Sequence, residues 1–176
     1  MMTRTTLALA LLLGSGVARA AGIPDSLDAA NYKRLSPGLA VSGKPSNEAL
    51  ASLKTAGFRT VVDLRQPAEG VASAKEAVEA QGLAFVSVPV SPDTFSLDDV
   101  LKVEAVLKDQ GAAPVLLYCS SSNRVGAALA VVEYRRGRSM DDALAEGRKA
   151  GLKTPAMESA ARRVMDAAPA PAKDAK

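Results

Sequence analysis

A single α/β domain with a mostly parallel sheet covered on both faces is the fold class this sequence predicts, and three observations predict it. Short runs rich in Val, Leu or Thr, at Leu39–Ser42, Phe58–Leu64, Ala84–Val90 and Val115–Tyr118, alternate with longer segments of helical periodicity. Phe58–Leu64 alternates poorly between apolar and polar residues, as a strand buried on both faces does. Glycine, proline or a capping residue marks almost every junction, and about 135 residues of this pattern make one domain.

In chain order, Met1–Arg4 is a basic region, Thr5–Leu13 an apolar one and Ala18-Arg19-Ala20 an A-x-A cleavage site, so residues 1–20 read as a secretory signal peptide. The apolar stretch falls short of the about 20 residues a membrane span needs, and stable membrane insertion after cleavage is not expected. Residues 21–30 are small and polar and read as a linker or loosely docked arm. The domain is expected over 31–166. Ser36-Pro37-Gly38 forms a turn before the first strand. Ser46 caps a helix that turns Leu50 and Leu53 inward and stops at Gly57.

Asp63 and Arg65 flank a strand end and read most simply as an ion pair or loop anchor. Ser73 with Glu76 has capping-box spacing and predicts a helix over Ala74–Ala80. Ser91-Pro92-Asp93 closes the next strand. Ser96 with Asp99 opens a helix expected to turn Leu97, Leu101, Ala105 and Leu107 or Val106 inward. Val125–Arg136 predicts a helix with a largely buried surface, Ser139 caps the next, and Thr154-Pro155 starts a last one to about Asp166. The Ala, Pro, Lys and Asp of 167–176 predict a disordered tail.

Composition narrows the chemistry. Losing Arg4 and Arg19 with the leader brings the formal charge of +3 down to about +1, so the basic balance implies no nucleic-acid partner. Aromatic side chains, at 3%, are too few for base stacking. There is no histidine, which excludes Ser-His and Cys-His pairs and any zinc site built on imidazole; neither metal nor cofactor is expected. One cysteine in an exported chain cannot close an internal disulfide.

That cysteine sits in V-L-L-Y-C-S-S-S-N-R-V-G, Val115–Gly126. A buried strand ending at Cys119, a polar loop and a helix make an anion site, because the first N–H groups of a helix lack internal partners and carry partial positive charge. The Arg124 guanidinium, five positions after Cys119, can curl back over the same pocket and offer fork-shaped donors to an oxyanion. The same donors favour the thiolate of Cys119, which makes it a nucleophile. The alternative is an inert buried cysteine. Three serines, an asparagine and an arginine are poor core residues and favour the site.

N-Y-K-R-L-S-P-G-L-A-V-S-G-K-P-S (Asn31–Ser46), V-V-D-L-R (Val61–Arg65), C-S-S-S-N-R-V-G (Cys119–Gly126) and D-D-A-L-A-E-G-R-K-A-G-L (Asp141–Leu152) resemble the phosphatase-like domain of beta-lactamase hydrolase-like proteins. That family is similar in fold to tyrosine and dual-specificity phosphatases, which implies a twisted sheet of four or five strands flanked by helices. It also implies Cys119 as nucleophile, Arg124 as anion clamp and the backbone of Ser120, Ser121, Ser122, Asn123 and Val125 as the anion cradle. The chain departs from the phosphatase signature in having four residues, not five, between Cys and Arg. Tyr118 replaces a histidine, Val125 a Ser or Thr, and Ser122 stands where related loops often carry glycine. The shorter spacing is similar to the rhodanese loop, in which cysteine carries a sulfane sulfur.

Asp93 lies just past a strand end, roughly where the phosphatases place a general acid, though a Pro-Asp turn explains it equally; Asp98 or Asp99 are further candidates. The expectation is therefore an exported, most simply periplasmic, cysteine-dependent phosphatase-like hydrolase acting on a small anionic or phosphorylated molecule. A rhodanese-like sulfurtransferase and a non-catalytic anion-binding module are the alternatives.

Overall fold

The computed structural model describes residues 22–168. The leader expected over 1–20 and the tail beyond Ala168 lie outside these residues. The described chain forms a five-stranded sheet of β1 (Lys33–Ser36), β2 (Leu39–Ser42), β3 (Thr60–Asp63), β4 (Ala84–Ser87) and β5 (Val115–Tyr118), in the order β1-β2-β5-β3-β4. Every pairing is parallel except β1 with β2. β5 is central and fully buried, with Val115 opposite both Leu39 and Thr60.

Helices α1 (Asn47–Ala51) and α2 (Val71–Glu79) cover one face, over a core of Leu50, Leu53, Phe58, Val61, Ala74 and Val78. On the other face lie α3 (Leu97–Lys108), α4 (Asn123–Arg135), α5 (Met140–Lys149) and α6 (Pro155–Ala167). Capping starts most of them where the sequence predicts. Ser46, Ser96, Ser139 and Thr154 each accept from the backbone N–H three residues on, and Asp99 closes a reciprocal box with Ser96.

Four features differ from expectation. β1 has no buried residue and so carries no hydrophobic signal; its pairing with β2 makes it a strand. α2 starts at Val71, ahead of the expected Ala74, because Gly70 adopts φ 82° and ends a 3-10 turn (Pro67–Glu69) boxed by Gln66 and Glu69. Ser73 therefore lies inside the helix, its hydroxyl returned to the Gly70 carbonyl. On α3 the fully buried residues are Val100 and Val103, with Leu97, Val106 and Leu107 packed partly buried beside them as expected, while Leu101 is 40% exposed.

The stretch expected as a linker or loosely docked arm is docked onto the domain. Ile23 is 1% exposed, Tyr32 donates to the Pro24 carbonyl, and Gly43 and Ser46 donate to the carbonyls of Ala30 and Asp28. None of the described helices is long and apolar enough to cross a membrane.

α4 packs against α5 and the turn after it so closely that a Cβ on Gly126 would lie 2.2 Å from the Leu152 nitrogen and 2.5 Å from the Gly147 oxygen. Both are backbone atoms, which cannot swing away. Gly126→Ala is therefore expected to lower stability by about 3 kcal/mol, read as a shifted midpoint in chemical denaturation.

Candidate active site

Strand alternation decides where each residue at the carboxyl end of the sheet points. Val115, Leu117 and Cys119 belong to the core on the α3–α6 side; Leu116 and Tyr118 belong to the core under α1 and α2. The thiol thus continues one face of β5 and the phenol the other. Tyr118 stands in register with Asp63 on β3, and these two meet Arg65 in a buried network. Arg65 Nε and Nη2 donate to the two Asp63 oxygens at 3.0 and 2.8 Å, and Tyr118 Oη donates to Asp63 at 2.6 Å. The Asp63–Arg65 pairing expected from sequence is present, and Arg65 also anchors the following loop by donating from Nη1 to the Glu69 carbonyl at 2.8 Å.

That bond fixes the 3-10 turn so that the Glu69 carboxylate meets Arg124. Glu69 Oε2 and Oε1 accept from Nη1 and Nη2, each at 2.7 Å, a bidentate pair. Ser120 Oγ donates to the same carboxylate and accepts from Arg124 Nη2 at 2.9 Å. The Val90 carbonyl accepts from Nη1 at 3.2 Å. These hydrogen bonds, with Arg124 the largest cause, hold the Glu69 carboxyl down at about 2. Arg124 is raised above its ordinary value, first by the Glu69 hydrogen bonds and against desolvation. Arg124 Nε donates to no nitrogen or oxygen acceptor among the described residues, and Cys119 beside it is fully buried.

Only Ser120–Ser122 separate Cys119 from α4, which begins at Asn123, two residues before the expected start. Arg124 is thereby the second helical residue. Ser122 adopts φ 68°, a left-handed conformation normally left to glycine, and its hydroxyl donates to the Ala150 carbonyl at 2.7 Å. The Ser120 carbonyl accepts from Lys44 N at 3.1 Å and the Ser121 carbonyl from Asn31 Nδ2 at 3.2 Å. Asn123 Oδ1 accepts from the N–H groups of Lys153 and Thr154, pinning the helix start to the α5–α6 turn.

With these carbonyls turned outward, the N–H groups of Ser120, Ser121, Asn123, Arg124 and Val125 donate to no acceptor among the described residues. Oriented amides beside a guanidinium and a cysteine can receive an oxyanion. The side chains of Ser122, Asn123 and Val125 serve the scaffold or core, so Asn123 and Val125 offer the site their backbone N–H groups only. Asp93 is exposed in the turn after β4. Its loop is tied at Val90 to Arg124 and at Pro92 to Arg163.

Sequence reasoning missed Glu69. Its signal was a carboxylate between Pro67 and Gly70, at box spacing from Gln66, shortly past a strand end.

The family model of the beta-lactamase hydrolase-like protein, phosphatase-like domain, matches residues 31–134. The chain belongs to this family. Solved structures share its fold. Tk-PTP in its active form aligns over 77% of this chain and 96% of its own, at 22% identity and TM-score 0.65. TpbA of P. aeruginosa covers 80% and 86%, at 24% identity and TM-score 0.60. The core catalytic domain of the PP-IP phosphatase SIW14 from S. cerevisiae, in complex with citrate, covers 80% and 90%, at 15% identity and TM-score 0.61. No curated protein matches the chain. The expected phosphatase-like α/β fold, five-stranded and mostly parallel, is the one observed.

Glu69→Gln tests the carboxylate that seats Arg124. Because the folded Glu69 value, about 2, lies below the ordinary 4.5, its stabilisation is full above pH 4.5 and is lost as pH falls through 2. Denaturation of wild type and variant across a pH series should show a gap that is constant above pH 4.5 and closes toward pH 2. A gap that persists at pH 2 would mean that Glu69 does not act through its charge.

Proposed function

We propose that this protein is an exported, cysteine-dependent phosphatase that hydrolyses a phosphoester through a phosphocysteine. The observation that carries the reading is the loop after β5, where unpaired N–H groups and the Arg124 guanidinium follow directly on the strand that ends at Cys119. Family membership supports hydrolysis of a phosphorylated molecule, as does a TpbA structure described in complex with pTyr. The leader expected over 1–20 supports export to the periplasm.

In the first step the Cys119 thiolate attacks phosphorus and the P–O bond to the leaving group breaks. The departing oxygen takes a proton from Asp93, whose loop the Val90 contact holds against Arg124. In the second, water attacks phosphorus, the P–S bond breaks and water's proton returns to Asp93. The products are inorganic phosphate and the thiolate. The loop amides and Arg124 stabilise the charge on the transferring oxygens.

The four-residue spacing between Cys119 and Arg124 favours a second reading, sulfur transfer. There the thiolate takes the outer sulfur of thiosulfate, the S–S bond breaks and sulfite leaves.

Intact-mass spectrometry and product release, after exposure to an aryl phosphate or to thiosulfate, separate the two. Phenol release should vanish in Cys119→Ser and fall about 10²-fold or more in Asp93→Asn. A one-sulfur adduct confined to wild type, without phenol release, would replace the phosphatase reading with sulfur transfer. For export, protein recovered from the periplasmic fraction should begin at Ala21, and full-length protein confined to the cytoplasm would overturn that part.

A further inference from the structure

A guanidinium presents one N–H on Nε and two on each terminal nitrogen, all in one plane. In Arg124 every terminal N–H is already engaged by the protein. The outer one on each of Nη1 and Nη2 meets a Glu69 oxygen at 2.7 Å. The inner N–H of Nη1 is directed at the carbonyls of Val90 and Leu64, 3.2 and 3.4 Å away. That of Nη2 is held by Ser120 Oγ at 2.9 Å.

Covalent geometry makes this division matter. Nε–H and the inner N–H of Nη2 lie side by side on one edge of the plane, a second fork able to take two oxygens of one oxyanion. Glu69 occupies the end-on fork, and Nη1 stands on the far side from Nε. The edge beside Cys119 is therefore the one left for an anion, and Ser120 holds half of it.

The Ser120 contact is also the easiest of these to break. Glu69 is ionised and bidentate, and the carbonyls belong to the buried residues Val90 and Leu64, fixed by the backbone. Ser120 offers a neutral, exposed hydroxyl that turns about a single bond. Its departure also gives up the bond to Glu69, which water can replace because that side chain is 33% exposed. The same residue supplies one of the unpaired N–H groups of the loop, so its hydroxyl oxygen stands among the donors an anion would use.

We infer that Ser120 Oγ competes with the substrate for Arg124, and that an oxyanion takes Nε and Nη2 together by displacing it. The hydroxyl thus lowers the affinity of the site for its anion. This rests on the proposed function only in that Arg124 receives the oxyanion, and it adds the edge that does so and the group that must yield.

The test is calorimetric titration of inorganic phosphate into wild type, Ser120→Ala and Ser120→Thr at neutral pH, with hydrolysis of phenyl phosphate measured beside it. Ser120→Ala should bind phosphate about fivefold more tightly, as expected from one competing hydrogen bond removed. Ser120→Thr keeps the hydroxyl and should stay within about twofold of wild type. Under the phosphatase reading, kcat/KM for phenyl phosphate should rise in Ser120→Ala by a like factor. If phenyl phosphate is not turned over, yet Ser120→Ala binds phosphate more tightly and Ser120→Thr does not, the assignment of Ser120 holds and the phosphatase reading falls. Affinity unchanged in Ser120→Ala, or undetectable in all three proteins, would overturn the assignment. Weaker binding by Ser120→Ala would overturn it too, and would make the hydroxyl a donor to the anion.

Discussion

The arrangement of the site depends on one buried ionic network, Asp63 with Arg65 and Tyr118. Taking two charges out of water costs several kcal/mol per ion in effective terms, which only close pairing and full hydrogen bonding offset. Here the pairing is complete: Arg65 spends Nε and Nη2 on Asp63, places Nη2 also on the Tyr118 oxygen, and keeps Nη1 for the Glu69 carbonyl. Burial, and then the hydrogen bond to Asp63 and its charge, push the Tyr118 phenol well above its ordinary range, so it remains a donor to Asp63. The guanidinium also lies 5.1 Å from the centre of the Tyr118 ring, a cation–π contact in a desolvated place. A rigid strand end is thereby connected to the turn that carries Glu69, and Glu69 seats Arg124. Cutting one partner from such a network strands the other charge, at about 3–5 kcal/mol.

The two-residue period of β5 makes this arrangement possible. Cys119 continues the face that packs on α4, and Tyr118 occupies the opposite one. The nucleophile and the residue that helps order its surroundings are adjacent in sequence yet separated by the sheet. A one-residue slip would exchange them and place a thiol in the ionic network. The register is held by pairing on both edges, with Ser42 and Asp63 each opposite Tyr118.

Much of this was legible from residue types, because caps, glycines and buried strands leave local signals. Ser46, Ser96, Ser139 and Thr154 mark helix starts, and V-L-L-Y marks the central strand. Where the reading departed from the structure, tertiary contacts outweighed local propensity. β1 exists through its partner, and α2 begins early because Gly70 frees the backbone to turn ahead of Ser73. Residues 22–30 look like a linker by composition, yet their carbonyls accept from Gly43, Ser46 and Arg34. In the site, Cys119, the polar loop and Arg124 could be read directly. Glu69 could not be singled out, since its role arises from a contact across 55 positions.

The left-handed turn at Ser122 connects the short loop to its chemistry. A serine held there costs on the order of 1 kcal/mol or more over glycine, and the chain keeps it through the buried bond to the Ala150 carbonyl and the close approach of Gly151. That turn starts α4 at Asn123 rather than later, which makes Arg124 its second residue and leaves the first helical amides beside the thiol. A loop one residue shorter than the phosphatase signature therefore need not lose its anion donors, because the helix begins early enough to supply them. Fold likeness would not reveal this, since many chemistries share one scaffold; the conformation of a single residue does.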